Sequence, residues 1–121
     1  KGRADGPPRQ AFAGLEGAGP LAVATAYEVE WDATKARSNE RKHKIGFDPA
    51  MTVFTDPNTM PIFDAEHSAD EERWTSIGQA NNGSILVVVH TLTPTRPVHA
   101  RLRINSARKA NKHERRQHRD G

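Results

Sequence analysis

The chain has 121 residues, a formal net charge of +3 and no cysteine, and 35% of its residues are hydrophobic. These values allow one small domain with a modest core, for which a stabilising partner protein is expected, and they exclude disulfides, thiolate metal sites and cysteine nucleophiles. No apolar run reaches membrane-spanning length and no secretory signal is recognisable, so a cytoplasmic protein without a membrane partner is expected.

Charge is distributed unevenly along the chain. Residues 98–121 hold eight lysines or arginines against two acidic residues, whereas residues 60–80 hold five acidic residues against a single arginine. This asymmetry indicates a polyanionic partner for one surface and a basic partner for the other. Two ordinary solvated faces would give the same pattern, so both interpretations stay open at this point.

The first part of the chain differs from the rest. Residues 1–26 are rich in Gly, Pro and Ala without a clear period, which predicts a flexible leader or upstream extension ahead of a domain over 27–121. The alternation in "YEVEW" predicts a strand from Tyr27 to Trp31. Asp32 is expected to cap a helix that continues to about Lys44, and Gly46 is expected to be its C-cap.

A second helix is predicted from "FDPAMTVFTDP", with Asp48 as its cap, Pro49 in its first turn and Asp56-Pro57 as its end. Strands are then predicted over 60–66, 73–80 and 85–92. Pro61 places the first of them at a sheet edge, "NNG" predicts a hairpin turn, and the apolar run "ILVVV" predicts a central strand.

The last elements carry most of the positive charge. After a loop that contains Pro94 and Pro97, residues 98–105 alternate between apolar and mostly basic positions, which predicts a strand with one basic face. Ser106 or Asn105 is expected to cap a basic helix over about 107–119. The order β-α-α-β-β-β-β-α predicts an α+β fold around an antiparallel sheet.

The residues alone indicate which chemistry to consider. None of the six histidines forms an i, i+4 pair or an HExxH motif, so a metal site is not favoured, and no GxGxxG or P-loop is present. No G-x-S-x-G motif marks a Ser/His/Asp triad. Histidine, glutamate and arginine together supply the base, acid and cations that a metal-free ribonuclease needs. Composition and spacing therefore predict a nucleic-acid-binding domain, and a nuclease is one form that it could take.

Three blocks, in order and over roughly residues 29–116, carry a more specific signal: "VEWDATKARSNERKHKIGFDPAMTVFTDP", "DAEHSADEERWTSIGQANNGSILVVVHT" and "RLRINSARKANKHERR". Together they resemble the BrnT family of bacterial toxins. The resemblance implies a small RelE-like domain with two N-terminal helices and a basic C-terminal helix. It implies a ribonuclease, without metal or cofactor, that cleaves cellular RNA and arrests translation and growth. It also implies a BrnA-type antitoxin as partner in a hetero-oligomer, with operator DNA contacted only through that antitoxin.

Site residues follow from the same resemblance. Arg73 and Arg108 are expected to contact the scissile phosphate, or else to form salt bridges with nearby glutamates. His43 is expected to act as acid or base, since imidazole titrates near neutrality, or else to favour the end of its helix electrostatically. Glu114 is the alternative base. Phosphate contacts without base specificity are expected from Lys42, Arg103, Lys109, Lys112 and Arg115.

Some positions depart from the family pattern. His118 stands where family members often have Tyr, Asn105 replaces an apolar residue, and the segment after the central strand is longer and richer in proline. A catalytically degenerate homologue that still binds RNA or antitoxin is therefore the main alternative, and scattered placement of Arg73, Arg108 and an acid–base group would favour it. A DNA-binding protein is a weaker alternative, because no helix-turn-helix pattern is present. His67 and His90 are expected to be structural.

Overall fold

A computed structural model of the chain describes residues 10–11, 26–68, 71–97 and 99–120. It shows an α+β fold, as predicted from the element order, with one sheet in the order β1-β2-β6-β5-β4-β3. The strands are β1 (Gln10–Ala11), β2 (Ala26–Trp31), β3 (Met60–Phe63), β4 (Glu72–Gln79), β5 (Ile85–Arg96) and β6 (His99–Lys109). Two residues of the predicted leader form β1, and the others up to residue 25 lie outside the described residues.

The prediction of a wholly antiparallel sheet is wrong at one pair of strands. β2 runs parallel to β6, with Tyr27 beside Ala100 and Trp31 beside Ile104, while the other strand pairs are antiparallel. Alternation along a strand reports which side chains are buried, but it does not report the direction of a neighbour that is distant in sequence. The sheet is therefore mixed, and mostly antiparallel.

The first helix, α1 (Ala33–His43), begins as predicted. The Asp32 carboxylate accepts the backbone N–H of Lys35 at 3.0 Å, which confirms Asp32 as the N-cap. The prediction of Gly46 as C-cap is wrong, because Lys44 itself adopts the left-handed conformation at φ 62° and ends the helix. Gly46 instead precedes the next helix.

The second helix, α2 (Phe47–Met51), continues as a 3-10 turn over Thr52–Thr55 and ends at Asp56 as predicted. Asp48 is not its cap: Gly46 holds the N-cap position, and Asp48 lies within the first turn, where a negative charge favours the helix dipole. Phe47 and Phe54 are buried, and they pack the segment into the core.

The core lies between these helices and one face of the sheet. Trp31 contacts Phe47 edge-on at a ring-centroid distance of 5.9 Å, and Phe54 meets the ring of His90 in the same way at 4.8 Å. Burial of aliphatic and aromatic side chains supplies most of the stability of such a domain. The core consists mainly of Tyr27, Val29, Trp31, Phe47, Ala50, Val53, Phe54, Leu86, Val88, Leu92, Ala100, Leu102, Ile104 and Ala107.

The hairpins follow the predictions in their positions but not in their lengths. β3 is an edge strand, as Pro61 indicates, and β5 is central, between β4 and β6. The "NNG" segment forms the turn between β4 and β5, with Gly83 at φ 91°. The predicted loop around Pro94 is wrong, because β5 continues to Arg96 and accommodates Pro94 beside a register irregularity.

The predicted start of the last helix is also wrong. β6 continues to Lys109, and α3 covers only Lys112–Asp120, so neither Asn105 nor Ser106 is a cap. Ala107 is fully buried, and its burial against the core keeps this part of the chain in the sheet. The start of α3 has the reciprocal bonds of a capping box: Asn111 accepts the N–H of Glu114 at 2.8 Å, and Glu114 accepts that of Asn111 at 2.9 Å.

Candidate active site

The face of the sheet opposite the core carries a row of polar side chains. Arg73 of β4 lies beside Thr91 of β5, and Thr91 lies beside Arg103 of β6. Arg103 in turn lies beside Glu30 of β2. Four neighbouring strands thus place two arginines, a threonine and a carboxylate in one line across this face, which we call the open face.

A bulge in β6 widens the polar surface of the open face. Val89 lies opposite Ser106 while His90 lies opposite Ile104, so Asn105 is the additional residue. The side chains of Asn105 and Ser106 consequently line the same groove, whereas Ile104 and Ala107 are buried in the core. Asn105 therefore contributes a polar side chain to the wall of this groove.

These residues surround an open groove of about 530 Å³. Its walls carry three cationic side chains and one carboxylate, together with an imidazole and short polar groups. No apolar side chain is among its lining residues, so the groove suits a charged, hydrated ligand. We call it the open-face groove, and it is lined by Lys35, His67, Glu71, Arg73, Thr91, Arg103, Asn105 and Ser106.

A smaller groove of about 240 Å³ adjoins it along α1. The two grooves share Lys35, Asn105 and Ser106, and the smaller one adds Lys42 and His43. We call it the helix-side groove. The predicted site residues His43 and Lys42 therefore lie next to the groove that holds Arg73 and Arg103, and one continuous polar surface connects them.

Asn39 fixes α1 against this part of the sheet. Its side-chain amide donates to the carbonyl oxygens of Ala107 at 2.8 Å and Ile45 at 3.0 Å, and its oxygen accepts the N–H of Ala107 at 3.1 Å. β2 ends before this point, so the amide takes the place of a neighbouring strand at the edge of β6. The position of Lys35, Lys42 and His43 relative to the groove depends on this contact.

Asp64 organises the rim of the open-face groove. Its carboxylate contacts Nδ1 of His67 at 2.9 Å and Nε of Arg73 at 3.6 Å. Since a carboxylate only accepts, a neutral His67 donates from Nδ1 and keeps its Nε2 lone pair available. His67 was expected to be structural; the structure instead brings it to the groove beside Arg73.

The two arginines of the row each contact a carboxylate and remain partly exposed. Nη2 of Arg103 lies 3.3 Å from the carboxylate of buried Glu30, and Nε of Arg101 lies 3.9 Å from the same carboxylate. Arg103 is 43% exposed and Arg73 is 39% exposed, so both still present N–H groups to solvent. Lys35 is exposed and lines the same groove, and its side chain forms no ion pair within the described ranges.

Arg108 lies on the open face but does not line either groove. Arg103 and Arg108 face β5 residues four positions apart, which corresponds to about 14 Å along the strands. Arg108 forms a two-bond ion pair with Glu114, at 2.9 and 2.7 Å. The hydrogen bond from Arg108 lowers the pKa of Glu114 to about 2, and the same contact raises the pKa of Arg108.

The remaining predicted phosphate contacts lie around that ion pair. Lys109, Lys112 and Arg115 are exposed, and Nη1 of Arg115 donates to the carbonyl of Ala110 at 2.9 Å. The candidate residues therefore fall into two groups. Arg73, Arg103, His43 and Lys42 lie along the two connected grooves, whereas Arg108, Glu114, Lys109, Lys112 and Arg115 lie at the β6–α3 junction.

Two further histidines, His90 and His118, each contact one polar side chain away from both grooves. His90 is fully buried, its Nε2 lies 2.8 Å from Oγ of Ser76, and burial lowers its pKa to about 3, so it is a neutral core residue as expected. His118 lies 2.8 Å from the Asp56 carboxylate and attaches α3 to the end of the α2 segment. Burial would raise the pKa of Asp56, but hydrogen bonds from Gln79, Asn58 and His118 outweigh it and lower that pKa.

Sequence reasoning missed Lys35, Asn39 and His67 as site residues, although each lies within a block that carries the family resemblance. Polar residues four apart on a helix with little apolar surface were the available signal for Lys35 and Asn39.

Among the described residues, no three histidine, aspartate or glutamate side chains are grouped as metal ligands. In the same part of the chain, no helix is both long and apolar enough to cross a membrane.

Comparison with known proteins identifies a family. Residues 31–114 match the family model described as the ribonuclease toxin, BrnT, of type II toxin–antitoxin systems. The match includes α1, both grooves and the ion pair of Arg108 with Glu114. A comparison with curated proteins finds no match.

Proposed function

Because the chain belongs to the BrnT family of ribonuclease toxins of type II toxin–antitoxin systems, we propose that it cleaves RNA in the open-face groove. The family implies an antitoxin as partner. The single observation that carries the proposal is the row of Arg73, Thr91 and Arg103 across β4, β5 and β6, with Lys35 beside it. Three cations around one open groove are suited to a phosphodiester.

The cations would stabilise the charge that develops during cleavage. When the 2′-oxygen attacks phosphorus, negative charge increases on the two non-bridging oxygens. Arg73 and Arg103 reach the groove from different strands, so they can contact the phosphate from two sides. The ion pairs with Asp64 and Glu30 hold both guanidinium groups in position before RNA binds.

Proton transfer would use imidazole. The base accepts the proton of the 2′-hydroxyl, the bond between phosphorus and the 5′-oxygen breaks, and the acid protonates that leaving oxygen. The products are a 2′,3′-cyclic phosphate and a 5′-hydroxyl. We assign these two roles to His67, which Asp64 orients, and to His43 in the helix-side groove; the mechanism is general acid/base catalysis without a metal.

Glu114 is less suited to be the base. Its pKa of about 2 makes the carboxylate a weak proton acceptor, and both of its oxygens accept hydrogen bonds from Arg108. We propose that Arg108, Lys109, Lys112 and Arg115 contact the RNA backbone on either side of the cleaved bond, together with Lys42 on α1. Their exposed charges contribute affinity without base specificity.

In the cell, this activity would cleave cellular RNA and arrest translation and growth. We propose a BrnA-type antitoxin that neutralises the chain in a hetero-oligomer and alone contacts operator DNA. We also propose that residues 27–121 form the toxin domain, with a RelE-like arrangement of its elements. Residues 1–26 are assigned no part in catalysis.

RNA cleavage by the purified full-length chain tests the proposal. A labelled single-stranded RNA is incubated in EDTA, and the product ends are identified. Arg73→Ala and Arg103→Ala are each expected to slow cleavage by about 100-fold or more, as expected for removal of a donor to a developing anion. Arg37→Gln is the matched control, because Arg37 is exposed on α1 and bonds only to Thr34 within the described residues. Folded wild-type protein that cleaves no RNA would refute the proposal.

One observation favours a second candidate, a degenerate homologue that binds RNA or antitoxin without cleavage. Arg73 and Arg108 do not line a common groove, and Glu114 is held in an ion pair. Tight RNA binding without cleavage, in the same EDTA assay, would identify this second function.

A further inference from the structure

The edge strand β3 carries the large hydrophobic side chains that are most exposed in the described part of the chain. Ile62 is 45% exposed and Phe63 is 47% exposed. Ile62 lies beside Thr75 on the open face, whereas Phe63 lies on the other face, against Trp74 at a ring-centroid distance of 5.0 Å. A chain that ran along this edge would therefore contact apolar side chains on both faces of the sheet.

The backbone of β3 also offers hydrogen bonds at its outer edge. β3 is the last strand of the described sheet, and it pairs only with β4. Asp64 donates its N–H to the carbonyl of Arg73 at 2.8 Å, so alternation turns the backbone of Phe63 and Pro61 outward. Because Pro61 has no N–H, the outer edge offers one donor, the N–H of Phe63, and two acceptors, the carbonyl oxygens of Pro61 and Phe63. This is enough for a short segment and too little for open-ended strand addition.

Carboxylates lie near one end of this apolar edge, in the turn after β3 and at the start of β4. Glu66 and Glu71 are exposed, and Glu72 is partly exposed, with one oxygen accepting the indole N–H of Trp74 at 3.2 Å. RNA is a polyanion and would be repelled here. A second copy of the chain paired edge to edge would bring the same carboxylates together. The surface fits a protein segment in which apolar side chains are flanked by lysine or arginine.

We infer that the outer edge of β3, with Ile62, Phe63 and Glu66, is the surface that binds such a segment of the antitoxin. The acidic edge continues directly into the groove: Asp64 contacts His67 and Arg73, and His67, Glu71 and Arg73 line it. A segment bound along β3 would therefore extend over the rim of the groove and exclude RNA from it. This last step rests on the proposed function, whereas the binding surface does not.

Affinity for the antitoxin of the same toxin–antitoxin pair tests the surface. Isothermal titration would compare the wild-type full-length chain with the double variant Ile62→Thr, Phe63→Thr, in which threonine keeps the preference for a strand. We expect the double variant to weaken binding by about tenfold or more, as is typical for loss of apolar anchors. Glu66→Lys is expected to weaken binding by about threefold or more and to reduce its dependence on salt.

Glu40→Lys is the matched control, since Glu40 is exposed on α1 away from β3, and it should change affinity by less than about twofold. Circular dichroism would show that the variants are folded. Hydrogen exchange on the wild-type complex needs no variant, and it should show protection concentrated over residues 60–68. Unchanged affinity in both the Ile62→Thr, Phe63→Thr variant and the Glu66→Lys variant would overturn the inference, and so would protection confined to α3. Self-association of the free chain that the Ile62→Thr, Phe63→Thr variant abolishes would also overturn it.

The same samples separate this inference from the proposed function. A chain that binds antitoxin along β3 but cleaves no RNA would refute the ribonuclease proposal and leave the surface in place. Cleavage that continues unchanged in a complex bound at β3 would refute blocking of the groove. Cleavage that is lost on binding, and regained with the Ile62→Thr, Phe63→Thr variant at antitoxin concentrations that inhibit the wild type, would support both.

Discussion

Asn39 provides the sharpest test of how the site is built, because one side chain connects α1 to β6. In Asn39→Ala, the N–H and carbonyl of Ala107 and the carbonyl of Ile45 lose their partner. Ala107 is fully buried and Ile45 is 8% exposed, so water has little access to replace the amide. A buried polar group left without a partner costs about 1 to 3 kcal/mol, which makes a total loss of about 3 kcal/mol a conservative value.

This loss is large for so small a domain. Domains of this size have free energies of unfolding of about 5–15 kcal/mol, so about a fifth or more of the total would disappear. At about 4–8 °C per kcal/mol, the Tm should decrease by about 12 °C or more. Urea unfolding followed by circular dichroism measures the loss directly. The amide of Ala107 should also exchange faster with solvent than in the wild type.

Ser38→Ala is the matched control for Asn39→Ala. Ser38 is the exposed neighbour on the same helix and lines the helix-side groove, and its removal should change the free energy of unfolding by about 0.5 kcal/mol or less. A loss below about 1 kcal/mol in Asn39→Ala, with unchanged exchange at Ala107, would refute the view that this amide completes the edge of β6.

Three other changes test separate parts of the structure. The pKa of Glu114 is lowered from 4.5 to about 2 by its contact with Arg108, so its contribution to stability is complete above pH 4.5 and is lost as the pH falls towards 2. The free energy of unfolding of Glu114→Gln should therefore decrease less than that of the wild type over this pH range. If the two proteins lose the same free energy of unfolding between pH 4.5 and 2, the result would contradict the ion pair. Gly78→Ala should destabilise the chain by about 2 kcal/mol, because overpacking a core typically costs about 1–3 kcal/mol. The added Cβ would lie 2.5 Å from a valine methyl group and 2.8 Å from a threonine hydroxyl. Gly46→Ala is the control, because its added Cβ would meet nothing closer than 3.5 Å, and it should cost about 1 kcal/mol or less. Thermal unfolding of the two variants measures both losses. Asp64→Ala should remove the acceptor at Nδ1 of His67 and shift its neutral form towards the Nε2–H tautomer, which nitrogen NMR detects; the wild-type tautomer persisting in this variant would contradict the role of Asp64.

Local signals in the sequence were sufficient for several elements. Asp32 caps α1 through a bond to the third following residue, and "NNG" forms its turn, because both depend on neighbours within a few residues. Alternation in β2 correctly indicated that Tyr27 and Val29 are buried. The start of α3 was also visible in principle, since Asn111 and Glu114 have the spacing of a capping box.

Features that join distant parts of the chain could not be read from the sequence. The end of β6 is decided by burial of Ala107 and by Asn39, which is 68 residues away. The parallel pairing of β2 with β6 brings Glu30 next to Arg103, 73 residues away. His67 reaches the groove only because β3 and β4 form a hairpin that places Asp64 beside Arg73. Tertiary pairing, and not local pattern, therefore defines the candidate site.

The central claim, that a toxin acts through the open-face groove, is tested most directly by growth of a bacterial host after induction of the full-length chain. The wild type and Arg37→Gln should arrest growth, and co-expressed antitoxin should relieve the arrest. The double variant Arg73→Ala, Arg103→Ala, expressed to the same level and folded, should allow normal growth, whereas Arg108→Ala should retain part of the toxicity. Arrest by the double variant as strong as that by the wild type would contradict the claim, and so would normal growth with folded wild-type protein.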